Sequence, residues 1–270
     1  MRASENRSLA SQRSRRNLMK MAAVAAPALL AKMGPAAANC GHNGKNVGNG
    51  CSGANCFLKG TTIRTAKGDR KVEDLAVGDL LPTTFGGIQP ILWIGRYRFE
   101  KTDPTRAWAR DVAPVRIARS ALGPDVPHAD LFVTKTHALL IDDVLVPVCN
   151  LINGTTIALY DARALDELEY FHIKLNHHDV VYAEGAPCET LLNVDERAIN
   201  FAEYLRDYGP PISNNAPCAP VLGFGDRVEL KSRFRSAISP WIDRRQKLDI
   251  IRDKLEEGET ALLRQPELVS

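Results

Sequence analysis

From Cys56 to about Asn193 the chain is a succession of short runs rich in β-branched and aromatic residues, cut by turn residues. Helical periodicity is scarce before residue 195. That pattern suits strands with alternate side chains facing a core, and it confines the span to a mostly β fold. "TTIRTAKGDRKVEDL" reads as a strand, a Lys-Gly-Asp turn and a second strand. "IQPILWIGRYRF" reads as one long strand, and "ADLFVTKTHALLIDDVLVPV" as a hairpin around Asp142 and Asp143. In "LEYFHIKLNHHDVVYAEG" the period of two sets Tyr170, His172, Lys174 and Asn176 on one face and Phe171, Ile173 and Leu175 on the other. By the same alternation His177 and His178 face opposite ways, so at most one of them enters a common site. Helices are expected late. "NVDERAINFAEYL" is predicted to begin at Asn193 or Asp195, and "PWIDRRQKLDIIRDKLEEGETALL" places Ile242, Leu248, Ile251 and Leu255 roughly in helical step.

Ahead of the β span the composition changes twice. Residues 1–38 hold seven Lys/Arg and one acid, whereas the remainder holds 28 basic and 31 acidic residues. The overall charge of +3 therefore belongs to the N-terminus, and the rest gives no electrostatic reason to expect nucleic acid. Arg15 and Arg16, the apolar run Met21 to Ala31, and the small residues Ala36 to Ala38 follow the order of a signal peptide and its cleavage site. Ser14-Arg15-Arg16-Asn17-Leu18-Met19-Lys20 resembles the twin-arginine signal, with Leu18 and Met19 in place of Phe and Leu. The resemblance implies the twin-arginine translocation machinery as a partner and a periplasmic or extracellular location. Stable membrane insertion is not expected, because no apolar run reaches the roughly 18 residues of a span. Residues 39–55 are rich in Gly and Asn and read as a linker in which Cys40 and Cys51 are expected to pair, leaving Cys56 outside the disulfide. The spacing of the six cysteines fits no strong metal pattern, so neither a metal nor a cofactor is expected.

Three blocks in the β span point to chemistry. "CFLKGTTIRTAKGDRKVEDLAVGDLL" sets a cysteine before a G-T-x-I turn and strand and then a V-E-x-L-x-x-G-D turn. "VTKTH" is a T-x-x-H block, and "YFHIKLNHHDVVYAEGAPCETLL" closes with A-E-G-x-x-x-E-T. Together they resemble the Hint (hedgehog/intein) family in a bacterial subfamily, over about residues 56–193. The resemblance implies a horseshoe-like β fold, to which the helical periodicity after residue 195 adds a helical extension at 194–270. It also implies autoprocessing, in which the cysteine thiol attacks the preceding carbonyl and the acyl group moves from nitrogen to sulfur.

On this resemblance the cleaved bond is Asn55–Cys56 and the product is a thioester. Cys56 is the nucleophile, held beside its target by the chain itself. His137 protonates the departing nitrogen, and Thr134 orients the imidazole or binds the carbonyl oxygen. His178 corresponds to a later histidine that assists cleavage, and His172 tunes Cys56. Full splicing is not expected, because Asn193 follows Leu192 rather than His and precedes Val194, which offers no nucleophile. The charged tail offers no sterol-binding surface, so the acceptor is water or an unidentified small nucleophile. Two other readings stay open: an inactive Hint scaffold serving as a secreted binding module, and a small extracellular enzyme using Cys56 and His137 on an external substrate.

Overall fold

The computed structural model describes residues 55–222, apart from 102, 111, 195 and 212–214, and residues 247–264. The signal peptide, the expected Cys40–Cys51 pair and Ile242 lie outside the described residues. The strands are β1 (Phe57–Leu58), β2 (Thr62–Thr65), β3 (Gly68–Lys71), β4 (Leu80–Pro82), β5 (Ile88–Glu100), β6 (Val115–Ile117) and β7 (Leu131–Val133). They continue as β8 (Ala138–Ile141), β9 (Val144–Pro147), β10 (Ile157–Leu159), β11 (Glu167–Leu175), β12 (Val180–Ala183) and β13 (Ala186–Glu189). Two helices follow, α1 (Phe201–Tyr208) and α2 (Lys247–Arg264). The fold is mostly β with a helical C-terminal portion, as the periodicity predicts.

Two antiparallel sheets share one core. The first runs β10-β6-β7-β1-β11-β5-β4 and the second β3-β2-β12-β13-β8-β9. Phe57, Val133 and Ile173 of the first meet Ile63, Leu139, Val181 and Cys188 of the second in a single buried cluster that also takes in Ile251 of α2. Burial of this continuous apolar surface is what holds the sheets face to face.

Local chemistry explains several turns. Asp142 (φ 48°) and Asp143 (φ 64°) join β8 to β9, and Glu184 (φ 46°) and Gly185 (φ 79°) join β12 to β13. Positive φ at both central positions is what a two-residue hairpin needs for its twist to match the strands. Asp79 explains the G-D turn: one carboxylate oxygen accepts from Ala76 N at 2.8 Å and Arg70 Nη1 at 2.7 Å. The long strand β5 pairs with β11 from Glu100↔Glu167 to Ile91↔Leu175, with one register shift next to Lys174.

The structure corrects four local expectations. The β2–β3 turn sits at Ala66–Lys67, with Gly68 already in β3. The stretch from Leu131 to Pro147 is not a single hairpin. Its first strand, β7, pairs with β1 and β6, and only β8 and β9 form the hairpin, in the other sheet. His177 and His178 lie in the β11–β12 connection rather than in a strand. Finally, α1 begins at Phe201, not at Asn193 or Asp195. Its start is set by Asn200, whose Oδ1 accepts from Arg96 N at 3.0 Å and whose Nδ2 donates to Ile94 O at 2.9 Å. Two bonds to β5 outweigh the N-cap preference read from the sequence.

Candidate active site

The chain passes from the first sheet to the second three times, between β1 and β2, between β7 and β8, and between β11 and β12. These crossings are Lys59–Thr61, Thr134–His137 and Asn176–Asp179, so each of the three sequence blocks spans a place where the sheets exchange chain. The block that opens with Cys56 begins just before β1, which lies between β7 and β11. Phe57 pairs with Val133 on one side and Phe171 on the other. Extending both registers by one residue sets Cys56 opposite Thr134 and His172.

Hydrogen bonds confirm the first of these neighbours. Cys56 N donates to Thr134 Oγ1 at 2.9 Å, and Thr134 N donates to Cys56 O at 3.0 Å. Cys56 is 1% exposed and packs with Leu58, Trp93, Tyr97, Tyr170 and Leu191. The described cysteines are thiols rather than disulfides. Tyr170 donates its hydroxyl to Val112 O at 2.7 Å; burial, and secondarily a charge at Cys56, hold its phenol well above the usual range.

His137 is fully buried, and its ring lies 4.5 Å from that of Phe57, centroid to centroid. Burial pushes its imidazole down to about 4, against the opposing pull of the Glu189 charge and of the backbone at Asn55, Cys56 and Glu189. Those groups act at a distance, because neither ring nitrogen has a partner in hydrogen-bond geometry among the described residues. His172 is equally buried and equally without partners, and burial, then the charges of His137, His178 and Lys174, keep it well below its ordinary value. Both rings are therefore neutral at neutral pH. Buried polar atoms left unsatisfied are uncommon in folded proteins and gather where function calls for them.

His178 is buried while His177 is exposed. Only one of the pair enters the site, although loop geometry rather than strand alternation decides which. The E-T motif accounts for its placement. Asp179 N donates to Thr190 Oγ1 at 3.0 Å, and Thr190 N donates to Asp179 O at 2.8 Å. This clasp sets His178 Nε2 3.6 Å from Glu189 Oε2. The Asp179 carboxylate in turn accepts from Phe85 N, Gly86 N and Gln89 Nε2. A side chain on Gly86 would meet Gln89 Nε2 at 2.3 Å and Asp179 Oδ2 at 2.8 Å, so this close approach needs glycine. An open cavity of about 640 Å³, lined by Phe85, Gln89, Leu92 and His177 among others, lies against His178.

Two residues at the site went unassigned in the sequence reading. Glu189 Oε1 accepts from Asn55 Nδ2 at 2.7 Å and from Ala138 N at 2.8 Å. The sequence signal for it was an acid inside the otherwise apolar closing strand. Cys218 comes from beyond β13. Leu145 N donates to Pro220 O and Leu222 N to Leu145 O, which straps this segment along β9. The strap carries Cys218 N to His178 Nδ1 at 3.0 Å, so the proton of a neutral His178 resides on Nε2, toward Glu189. Nothing local in the sequence marks this contact.

The arrangement therefore gathers an amide bond, a thiol, a neutral imidazole and a buried carboxylate at one place between the sheets. Among solved structures the chain is similar to the gp41-1 intein, at 16% identity over 49% of this chain and 97% of that one, with a TM-score of 0.34. It is also similar to a DnaB intein from Synechocystis sp. PCC 6803, at 11% identity over 51% and 99% of the two chains and a TM-score of 0.34. A bacterial intein-like domain from Clostridium thermocellum gives 16% identity, 50% and 98% coverage and the same TM-score of 0.34. No curated protein matches the chain. The Hint domain model matches residues 55–195, just over half of the chain, and the chain therefore belongs to the Hint domain family.

Proposed function

We propose that the chain cleaves itself at Asn55–Cys56 by an acyl shift from nitrogen to sulfur, followed by hydrolysis or transfer of the thioester. The family and its fold go with autoprocessing in general. The observation that carries the specific reaction is the hydrogen bond from Cys56 N to Thr134 Oγ1, made beside a fully buried His137. A depressed imidazole acts first as a base: His137 takes the Cys56 thiol proton, and Sγ attacks the Asn55 carbonyl carbon. As the bond from that carbon to Cys56 N breaks, the same proton passes from the imidazolium to the leaving nitrogen. The step needs no net proton from solvent. Thr134 holds the leaving nitrogen by its N–H throughout. The expected role of His137 as acid is kept, and a preceding step as base is added to it.

His178 stands beside Glu189, on the acyl side of the bond, and is placed to assist attack on the thioester. The neighbouring cavity offers a route for a small acceptor.

The test is a full chain with an N-terminal tag, refolded and followed by mass with and without hydroxylamine. Hydroxylamine should speed release from the wild type, Cys56→Ala should stay intact, and His137→Ala should slow release by ~10²–10⁴-fold. A wild type that remains intact under every condition, or a Cys56→Ala chain that cleaves equally well, refutes the reading.

A further inference from the structure

Glu189 has no step in the chemistry above, yet its surroundings are specific. It ends β13 with a side chain only 8% exposed. A carboxylate this buried is strongly disfavoured unless donors use its lone pairs. Oε1 takes two, from Asn55 Nδ2 at 2.7 Å and Ala138 N at 2.8 Å, and Oε2 faces His178 Nε2 at 3.6 Å. Asn55 supplies the carbonyl under attack, and Ala138 follows His137 in the chain. One oxygen thus ties the acyl side of the reacting bond to the backbone that carries the imidazole.

We infer that Glu189 is a positioning residue that selects a neutral amide donor at position 55, and so determines which residue can stand upstream of the cleaved bond. The inference rests on the acyl-shift reading. Its chemical basis is direct. Asparagine offers an N–H and no charge. Aspartate offers no donor and sets a second negative charge against a buried carboxylate. Alanine leaves Oε1 with Ala138 N alone and releases the upstream chain. Glutamine carries its donor one methylene too far for a 2.7 Å contact unless the backbone moves.

The experiment uses the tagged full chain in four forms: wild type, Asn55→Asp, Glu189→Gln and the double variant. Losing a hydrogen bond to a charged group corresponds to roughly 10- to 100-fold in rate. Asn55→Asp should cleave slower by about that factor near neutral pH. Glu189→Gln alone should be milder, because the glutamine carbonyl still accepts from Asn55 and Ala138. The double variant should recover part of the loss, since it removes the repulsion between two carboxylates and lets the glutamine amide donate to the new aspartate, while Ala138 N loses its acceptor. A residue that merely supports the fold does not restore rate when a second change is added. The inference is overturned if Asn55→Asp cleaves like wild type, or if the double variant is no faster than Asn55→Asp.

The same cycle in a Cys56→Ala background, read by unfolding midpoint, detects the 55–189 contact with no reaction present. Coupling there together with a wild type that never cleaves overturns the acyl shift and the selection with it. Cleavage that ignores the residue at 55 overturns the selection alone.

Discussion

Lowering the pH from 7 to below 4 should expose His137 as a buried base. Its ring is fully buried, and burial outweighs the Glu189 charge and nearby backbone that favour protonation, leaving a pKa of about 4 against the ordinary 6.5. The unfolded chain thus binds this proton near 6.5 and the folded chain only near 4. Between those values the unfolded state holds more protons, so stability rises with pH. The contribution of His137 is fully present above 6.5 and is lost as pH falls through about 4. At 1.36 kcal/mol per unit the loss is about 3 kcal/mol, a large part of an ordinary domain's stability. Urea unfolding of Cys56→Ala and of Cys56→Ala/His137→Gln across that range measures it. The first protein should lose about 3 kcal/mol more than the second. His172 is present in both, so its own titration largely cancels. Equal losses would show that His137 is solvated and refute the reasoning. The acid limb of the cleavage rate gives a second view: it should centre near 4, and a limb near 6.5 would contradict a buried neutral base.

Other outcomes follow from single contacts. Thr134→Ala removes the acceptor for Cys56 N and should slow release by roughly fivefold to tenfold, with Thr134→Ser near wild type; equal rates in hydroxylamine assays would exclude Thr134. Cys218→Pro removes the donor to His178 Nδ1 and should slow hydrolysis of the thioester while leaving hydroxylamine-driven release intact. Cys218→Ala keeps that donor and should behave as wild type, and a Cys218→Pro chain that hydrolyses normally would dismiss the strap. Asp143→Gly relieves a positive φ in the β8–β9 turn and should raise stability by up to about 1 kcal/mol, checked by urea midpoint. The proposal of twin-arginine export predicts that Arg15→Lys/Arg16→Lys leaves unprocessed precursor in the cytoplasm, and unchanged export would reject it.

Much of the fold was legible because its signals are local. The alternation in Ile88–Glu100 marks β5 whatever its partner, and Asp142-Asp143 marks a turn because both side chains tolerate left-handed backbone. The helix start departs from the local signal for the opposite reason. Asn193 and Asp195 carry a local capping signal, but Asn200 bonds to β5 across a gap of 104 residues. His177 and His178 were assigned to opposite faces of a strand, but they occupy a loop whose geometry is set by the Asp179–Thr190 clasp.

The site divides in the same way. A cysteine directly after an amide, and a histidine three residues after a threonine, are readable because each block is contiguous in the chain. Glu189 meets Asn55 across 134 residues, and Cys218 meets His178 across 40. Glu189 shows locally only as an acid in an otherwise apolar strand, and Cys218 has no local mark at all. The sequence by itself determined which groups could react and where the chain turns, since those depend on residue type and adjacent spacing. Only the tertiary structure decided which strands bring the groups together and in which protonation state His137 stands. Burial and strand register are properties of the assembled sheets: an imidazole is pushed down to about 4 by the packing of residues from both of them, not by its neighbours in the chain.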